Sequence, residues 1–260
     1  MSDDRFGGIA RLVGVEGLQR LRAAHVCVVG IGGVGSWAVE ALARSGIGAM
    51  TLIDLDEVCV TNINRQLHAL DGTVGRAKVE VMAERMRLIN PECRVSPVAE
   101  FFTEANSQRL LAPEFDFVVD AMDALANKCR LLALCQTRRL RVISCGAAGG
   151  RLDATQVRVA DLADVSHDRL LALVRKRLRQ KHGFSRTGKR LDVPCVFSPE
   201  IPVTPEPASC EAGGQESPSP LRLNCDWGYG SATFVTGAFG LAAAGWVVRS
   251  IAAGPSRVSP

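Results

Sequence analysis

Short apolar runs alternate with longer amphipathic segments through the first 160 residues of this 260-residue chain. Runs rich in Val, Ile and Leu predict strands, and apolar residues at helical spacing predict helices. An amphipathic helix ends near residue 24 and leads into the first strand. The predicted strands cover residues 25–29, 50–54, 94–99, 115–120, 141–147 and 155–162, and the predicted helices cover residues 36–45, 77–89 and 124–138.

This alternation of strands and helices favours a parallel sheet with helices on both faces. We therefore predict an α/β fold built on a doubly wound, mainly parallel, Rossmann-like sheet. Residues 1–160 are expected to form its core. Residues 161–225 form a basic helix and loop region and residues 226–260 a C-terminal apolar helix, all within one structural domain.

The region beyond residue 160 has a different pattern. Residues 168–181 predict a basic helix and residues 184–190 a polar loop. Residues 198–220 hold six of the twelve prolines and predict a mobile surface loop. The uncharged run 232–248 predicts a helix that is buried or faces a partner copy. Its length and composition leave membrane association as the alternative.

Charge and cysteine content narrow the class of protein. The net charge is only +4, but residues 169–190 hold nine Lys or Arg, one His and no acid, so the rest of the chain is net acidic. The nine cysteines have irregular spacing without a C-x-x-C pair, which indicates neither a disulfide framework nor a structural zinc. The polar, charged start carries no secretory signal, and we expect a cytoplasmic protein.

A glycine loop joins the first strand to the next helix. Gly30 allows a tight turn, Gly32 and Gly33 let backbone approach a phosphate, and Gly35 lets helix and strand pack closely. Asp54 ends the second strand, where a carboxylate accepts hydrogen bonds from ribose hydroxyls. These features predict a nucleotide site and leave open whether the nucleotide is NAD or ATP.

The residues beyond Asp54 favour ATP. A hydride-transferring enzyme needs no further phosphate chemistry, whereas a triphosphate needs cations and polar groups around its tail. Asp120 and Asp123 end the fourth strand as "DAMD", and a carboxylate at that edge suits Mg²⁺ on phosphates. The polar and cationic residues that follow the second strand are Asn62, Asn64, Arg65, Gln66 and Lys78.

Four stretches, "GIGGVGS", "LIDLDEVCVTNINRQ", "VGRAKVEVMAERMRLINPE" and "DAMD", resemble the ubiquitin-activating-type adenylating superfamily. The resemblance implies ATP, Mg²⁺, adenylation of a carboxylate and a homodimer. It implies that Asp54 contacts the nucleotide, that Asn64, Arg65 and Lys78 contact the triphosphate, and that Asp123 binds the metal. The family arginine that reaches the partner copy's ATP aligns with Gly8, so Arg5 and Arg11 are both open for that role.

Further stretches favour one branch of that superfamily. "RFGGIARLVG", "CVFSPE" and "DWGYGSATFVTGAFG" are similar to the tRNA threonylcarbamoyladenosine dehydratases. That resemblance implies ATP-dependent cyclisation of threonylcarbamoyladenosine beside the tRNA anticodon, and a cysteine desulfurase or sulfur-acceptor system as a partner. The basic segment then predicts tRNA contact through its Lys and Arg. The predicted tRNA-binding residues are Arg175, Lys176, Arg177, Arg179, Lys181, Arg186, Lys189 and Arg190.

Two other functions stay open at this point. The chain could adenylate a small ubiquitin-like sulfur-carrier protein, or it could be a non-catalytic nucleotide-binding or redox-sensing module. Cys195 and Cys225 flank the proline-rich loop, where a thioester or sulfur-transfer role competes with a buried or incidental one.

Overall fold

The computed structural model describes residues 4–185, 190–203 and 229–254. These residues build a seven-stranded sheet in the order β3-β2-β1-β4-β5-β7-β6. Neighbouring strands are parallel except β6 and β7, which are antiparallel. The strands are β1 His25–Val29, β2 Ala49–Ile53, β3 Arg94–Val98, β4 Phe117–Asp120, β5 Val142–Cys145, β6 Arg158–Asp161 and β7 Pro194–Phe197.

Helices cover both faces of the sheet. Two helices, α1 Gly7–Val13 and α2 Val15–Ala23, meet at Gly14, whose φ of 79° breaks the helix between them. The others are α3 Gly35–Arg44, α4 Lys78–Ile89, α5 Ser107–Leu110, α6 Leu125–Arg138, α7 Arg169–Lys181 and α8 Thr233–Ala252.

The residues of strand β1 contribute to two hydrophobic cores, one on each face of the sheet. Val26 and Val28 point to the face covered by α3, α4 and α8, while Cys27 and Val29 point to the face covered by α6 and α7. All four side chains are buried. Because both faces of a central parallel strand are covered, the strand is apolar throughout rather than alternating.

The predicted doubly wound, mainly parallel sheet is confirmed, and strand and helix bounds agree within a few residues. Two features differ from expectation. β7 was not predicted, because four apolar residues between loops carry little periodicity. Phe184 begins the predicted polar loop but is buried in the α6 and α7 core. Residues 186–189 of that loop, and residues 204–220 of the predicted proline-rich loop, lie outside the described residues.

The sheet order also locates the ligand crevice. From β1 the chain crosses to β2 and β3 on one side, and from β4 onward it builds the other side. Ligands of doubly wound sheets bind where the order reverses, beyond the carboxyl ends of the strands. Here that point lies between Gly30 after β1 and Ala121 after β4.

Candidate functional site

The glycine loop packs against the end of β4. Gly30 has a φ of 91°, and a Cβ there would lie 2.8 Å from the Ala121 carbonyl oxygen. A Cβ at Gly35 would lie 1.8 Å from the Gly30 carbonyl oxygen. Both positions therefore require glycine, and the tight turn leaves the amino end of α3 facing the crevice, where its backbone N–H groups favour an anion.

Asp54 connects the end of β2 to the glycine loop. Its Oδ2 accepts a hydrogen bond from the Ile31 backbone N–H at 2.6 Å, and its Oδ1 accepts one from Asp56 N–H at 2.9 Å. Desolvation raises the pKa of Asp54, while those hydrogen bonds and the charge of Lys78 oppose the rise. Each oxygen keeps a further lone pair for a ligand hydroxyl.

The turn after β2 brings Arg65 and Gln66 beside the glycine loop. A Cβ at Gly33 would lie 3.5 Å from Arg65 Cγ, and one at Gly32 would lie 3.9 Å from Gln66 Nε2. Gln66 is buried, and its Oε1 has no hydrogen-bond partner among the described residues. A buried amide oxygen without a partner is costly, so this position suits a bound polar ligand or water.

Two asparagines support the same turn. The side-chain oxygen of buried Asn62 accepts the Cys59 N–H at 3.0 Å and so stabilises the turn internally. Asn64 is exposed, and its Oδ1 accepts from Arg65 Nη1 at 2.9 Å. The same Arg65 nitrogen donates to the Thr61 carbonyl at 2.7 Å. These two bonds hold the guanidinium against its own turn.

Lys78, Asp56 and Asp123 form the charged side of the crevice. Lys78 begins α4 and is buried, and its Nζ donates to Asp56 Oδ2 at 2.8 Å. Asp123 follows β4 and is exposed. Desolvation by the surrounding protein raises the pKa of Asp123, and the charge of Asp56 adds to that rise, while Lys128 and Lys78 lower it. Asp56, the second acid of "DLDEV", was not predicted as part of the site.

These carboxylates fit a magnesium ion that is shared with phosphate. Mg²⁺ is usually bound by one or two carboxylates together with phosphate oxygens and water. No cluster of three or more His, Cys, Asp or Glu that could hold a metal alone occurs in the described part of the chain. Asp123, with Asp56 close enough to affect its pKa, therefore matches a site completed by a bound nucleotide rather than a closed protein cage.

Asp120, the other acid of "DAMD", is structural. Its carboxylate is fully buried and accepts from Lys128 Nζ and from Ser144 Oγ, each at 2.7 Å. Lys128 also donates to the Cys145 carbonyl at 2.8 Å. This group joins the ends of β4 and β5. It leaves Asp123 as the carboxylate of "DAMD" that a ligand can reach.

Helix α7 extends away from the same edge of the sheet. Its N-cap Asp168 accepts from Leu171 N–H and from Ala147 N–H after β5, both at 2.9 Å. Buried Arg151 lies 3.6 Å from the Asp168 carboxylate and donates to the Ala147 carbonyl at 2.8 Å. The buried pair fixes the start of α7 beside the crevice, although neither residue was predicted to matter.

The predicted tRNA-binding residues do not share one environment. Arg175 donates from Nη1 to the carbonyls of Leu162, Ala163 and Val165 at 2.9–3.2 Å, so it secures the loop before α7. Lys176, Lys181 and Arg190 are exposed, whereas Arg177 and Arg179 are half-buried. Arg186 and Lys189 lie outside the described residues.

A shallow cavity of about 510 Å³ lies on this helix. Its lining comprises three basic side chains together with Ala172 and Gln180. The charges of Arg130, Arg177 and Lys181 lower the pKa of His182 at the end of α7, after the larger effect of its burial. The basic field therefore spans α6 and α7. The basic residues that line the cavity are Arg175, Lys176 and Arg179.

The two predicted cysteines and the two N-terminal arginines remain to be located. Cys195 is buried in β7, and desolvation raises the pKa of its thiol well above the ordinary value, which disfavours the nucleophilic thiolate. Cys225 lies outside the described residues. Arg5 donates to the Ile89 carbonyl at 2.7 Å within its own copy, while Arg11 is exposed on α1.

Comparison with known proteins gives consistent matches over nearly the whole chain. The model of the ThiF family matches residues 8–258. The tRNA threonylcarbamoyladenosine dehydratase of Escherichia coli (strain K12) is 48% identical over 97% of this chain and 95% of that protein. The crystal structure of the E. coli dehydratase in complex with ATP matches with a TM-score of 0.86 and 46% identity, covering 98% of this chain and 96% of that one. Its complex with AMP matches with a TM-score of 0.85 over 96% and 94%.

Proposed function

The chain belongs to the ThiF family, and we propose that it is an ATP-dependent dehydratase of threonylcarbamoyladenosine in tRNA. The observation that carries this proposal is that the similarity to a dehydratase continues beyond the nucleotide-binding core, through α7 and α8. The fold provides an ATP crevice at one edge of the sheet and a basic helix that starts at the same edge.

Different residues of the crevice are proposed to bind different parts of ATP. The backbone N–H groups after Gly30 face the phosphates, and Asp54 accepts from the ribose hydroxyls. Arg65 and Lys78 neutralise the negative charge that develops on the triphosphate as its α-phosphate is attacked. Asn62, Asn64 and Gln66 shape and support the turn around them. Asp123, with Asp56 beside it, would hold Mg²⁺, which supplies charge neutralisation on the phosphates.

The reaction proceeds through an acyl-adenylate. The threonine carboxylate of the substrate attacks the α-phosphate of ATP and displaces pyrophosphate. A carbamoyl oxygen of the same substrate then attacks the activated carbonyl and expels AMP, and loss of an N–H proton leaves an oxazolone ring. Attack by a carbamoyl nitrogen with loss of its proton gives a hydantoin ring instead. The net change in the nucleoside is the loss of one water.

This chemistry requires no protein nucleophile. The substrate carries its own attacking group, so orientation and charge neutralisation account for most of the catalysis. The buried, protonated thiol of Cys195 agrees with that requirement.

The basic face of α7 is our proposed contact for the tRNA. Lys and Arg side chains supply most of the sequence-independent affinity for nucleic acid by binding phosphates. A helix of 13 residues is roughly 20 Å long. A tRNA stem could lie along the length of α7. The modified base beside the anticodon would then lie at the start of the helix, next to the crevice.

A second copy is our proposed partner for α8. This helix is long and apolar enough to span a membrane, with a mean hydropathy of 1.4, but 56% of that window is already buried, which makes it weak support for a span. The side chains left at its surface form a stripe at spacings of four and three residues, with Phe234 56% and Leu241 52% exposed. That stripe suits helix packing between two copies. Its members are Phe234, Ala238, Leu241, Gly245 and Val248.

We place this activity in the cytoplasm, where its tRNA substrate and ATP occur together. A cysteine desulfurase or sulfur-acceptor protein is a further proposed partner. Co-purification of the full chain with such a protein would support that pairing, and independent elution of the two at micromolar concentration would count against it.

Pyrophosphate exchange separates this function from adenylation of a carrier protein. Purified protein is mixed with ATP, Mg²⁺ and labelled pyrophosphate, together with either threonylcarbamoyl-modified tRNA or the C-terminal peptide of a ubiquitin-like carrier. We expect exchange into ATP with the modified tRNA and not with unmodified tRNA or the peptide. Exchange with the peptide alone would instead identify a carrier-activating enzyme.

A further inference from the structure

The first turn of α8 contacts the turn that carries Arg65. The Arg65 carbonyl oxygen accepts hydrogen bonds from Trp37 Nε1 at 3.3 Å and from Thr236 Oγ1 at 3.2 Å. Trp37 lies in the first turn of α3, directly after the glycine loop. Two helices that pack against each other on one face of the sheet therefore meet on one backbone carbonyl.

The neighbouring residue is held by the same segment. Asn64 Nδ2 donates to the Ser231 carbonyl at 2.8 Å, and Thr233 Oγ1 donates to the Asn64 carbonyl. Consecutive residues of the turn are thus tied to residues 231–236 across a sequence separation of more than 160 residues. Such long-range contacts fix the position of the turn against the glycine loop.

The start of α8 is closely packed against α3 and the glycine loop. A Cβ at Gly33 would lie 3.2 Å from Thr236 Cγ2, and a Cβ at Gly240 would lie 2.7 Å from Trp37 Cβ. The glycine loop, α3 and α8 therefore approach each other at backbone distance around the indole. A small displacement of α8 would be transmitted to the Arg65 turn through these contacts.

We propose that Trp37 and Thr236 are positioning residues for Arg65, so that the start of α8 sets how well the guanidinium meets the triphosphate. This inference rests on the proposed function, since it gives Arg65 the role of neutralising phosphate charge. Trp37 is the more specific of the two donors, because its single N–H has one acceptor. The Thr236 hydroxyl can also donate to the carbonyls of Ala232 or Thr233 at 3.3 Å.

The direct test is to remove each donor while its shape is kept. Trp37→Phe deletes the indole N–H, and Thr236→Val deletes the hydroxyl. Trp246→Phe and Thr137→Val are matched controls, since Trp246 stacks near Arg249 and Thr137 bonds only its own helix at Ala133. Binding of ATP and of AMP is measured by calorimetry alongside pyrophosphate exchange and thermal unfolding.

We expect each donor variant to lose about two- to tenfold in ATP affinity and exchange rate, as removal of one hydrogen bond predicts. AMP affinity should stay within twofold, because AMP lacks the phosphates that Arg65 is proposed to meet. The controls should bind both nucleotides as the parent does. Equal losses for ATP and AMP, or unchanged ATP affinity, would overturn the proposal.

A double-mutant cycle distinguishes positioning from general stability. In an Arg65→Ala background, Trp37→Phe and Thr236→Val should cause no further loss of ATP affinity, because the group that they position is gone. The same loss in both backgrounds would mean that the two residues act independently of Arg65. These binding readouts do not require turnover, so inactivity of the parent protein on tRNA would contradict the proposed function and leave this test intact.

Discussion

At the scale of single residues, burial separates the two carboxylates of "DAMD" into a structural group and an exposed one. Asp120 and Lys128 neutralise each other in the core, and both are 0% exposed. Asp123, three residues along the chain from Asp120, is exposed at the edge of the sheet. The two carboxylates of "DAMD" therefore have different roles despite their proximity in sequence.

Replacing Asp123 should stop the adenylation step. Asp123→Ala removes the carboxylate that we propose for Mg²⁺, and pyrophosphate release should fall by on the order of hundreds-fold or more. The unfolding temperature should change little because the side chain is exposed. Asp164→Ala, an exposed carboxylate in the turn after β6, is the control and should retain activity. Near-normal turnover of Asp123→Ala at saturating Mg²⁺ would remove this residue from the metal role.

His68 predicts a specific dependence of stability on pH. Its ring is buried, and neither ring nitrogen has a hydrogen-bond partner among the described residues. Burial, followed by the charge of Lys78, lowers its pKa from 6.5 to about 4. The unfolded chain therefore takes up a proton as the pH falls through 6.5, whereas the folded chain does so only near pH 4.

The free energy of unfolding should consequently decrease as the pH falls from about 6.5 to about 4, by up to about 3 kcal/mol from this group. Denaturant unfolding of the parent and of His68→Leu across that range measures the effect. Carboxylates titrate in both proteins, so the difference between the two curves isolates the imidazole. Parallel curves would show that His68 is protonated, or partnered, in the folded state.

The sequence could not have revealed these residue-level assignments. Lys128 follows no motif, and its partner Asp120 is joined to it by the fold at the ends of β4 and β5. Asp56 is one of three acids in "DLDEV", and only the position of Lys78 selects it. By contrast, Gly30, Asp54 and Arg65 occur in a recognisable order along the chain, and the fold brings them together.

At the scale of secondary-structure elements, periodicity located most strands and helices. It did not predict their tertiary contacts or the direction of every strand. α7 was predicted as a basic helix, yet no pattern in the sequence indicated that Arg175 would bond the loop at Leu162 and Val165. The direction of β6 was also unpredictable, because it depends on pairing with the short strand β7. Such outcomes follow from tertiary contacts rather than local preference.

Charge reversal on α7 should weaken tRNA binding without affecting ATP. Lys176→Glu combined with Lys181→Glu changes two exposed side chains and leaves Arg175 in its structural contacts. We expect lower affinity for all tRNAs, and a salt dependence that is shallower by about one for each lost phosphate contact. Filter binding at several salt concentrations measures both quantities.

A control for that experiment has the same change in net charge. Arg87→Glu with Arg94→Glu alters exposed residues on α4 and on β3, the strand at the opposite edge of the sheet from β6. It should reduce affinity far less than the α7 variant. If the two variants behave alike, tRNA responds to overall charge and docks elsewhere.

At the scale of the whole molecule, the apolar stripe of α8 predicts a stable homodimer. Leu241→Glu places a charge in the centre of that stripe and should shift the protein to monomers in light scattering. Leu173→Glu, on the surface of α7, should stay dimeric. A parent protein that is monomeric at micromolar concentration would contradict the dimer, and a parent that requires detergent would favour membrane association.

We propose that one molecule couples an ATP crevice to a tRNA-binding face for dehydration of a modified nucleoside. The glycine loop and the start of α7 lie at the same edge of the sheet, and α8 links the glycine loop to the Arg65 turn. An ATP crevice or a basic helix alone is compatible with other functions. The proposed function therefore depends on conversion of the nucleoside.

Mass analysis of tRNA nucleosides measures the conversion of threonylcarbamoyladenosine itself. Threonylcarbamoyl-modified tRNA is incubated with purified protein, ATP and Mg²⁺, digested under mild conditions and compared with a reaction that contains Asp123→Ala. We expect threonylcarbamoyladenosine to be replaced by a species lighter by one water, with AMP formed in equal amount, and only with the parent protein. An unchanged nucleoside, despite demonstrated binding of both ATP and tRNA, would contradict it.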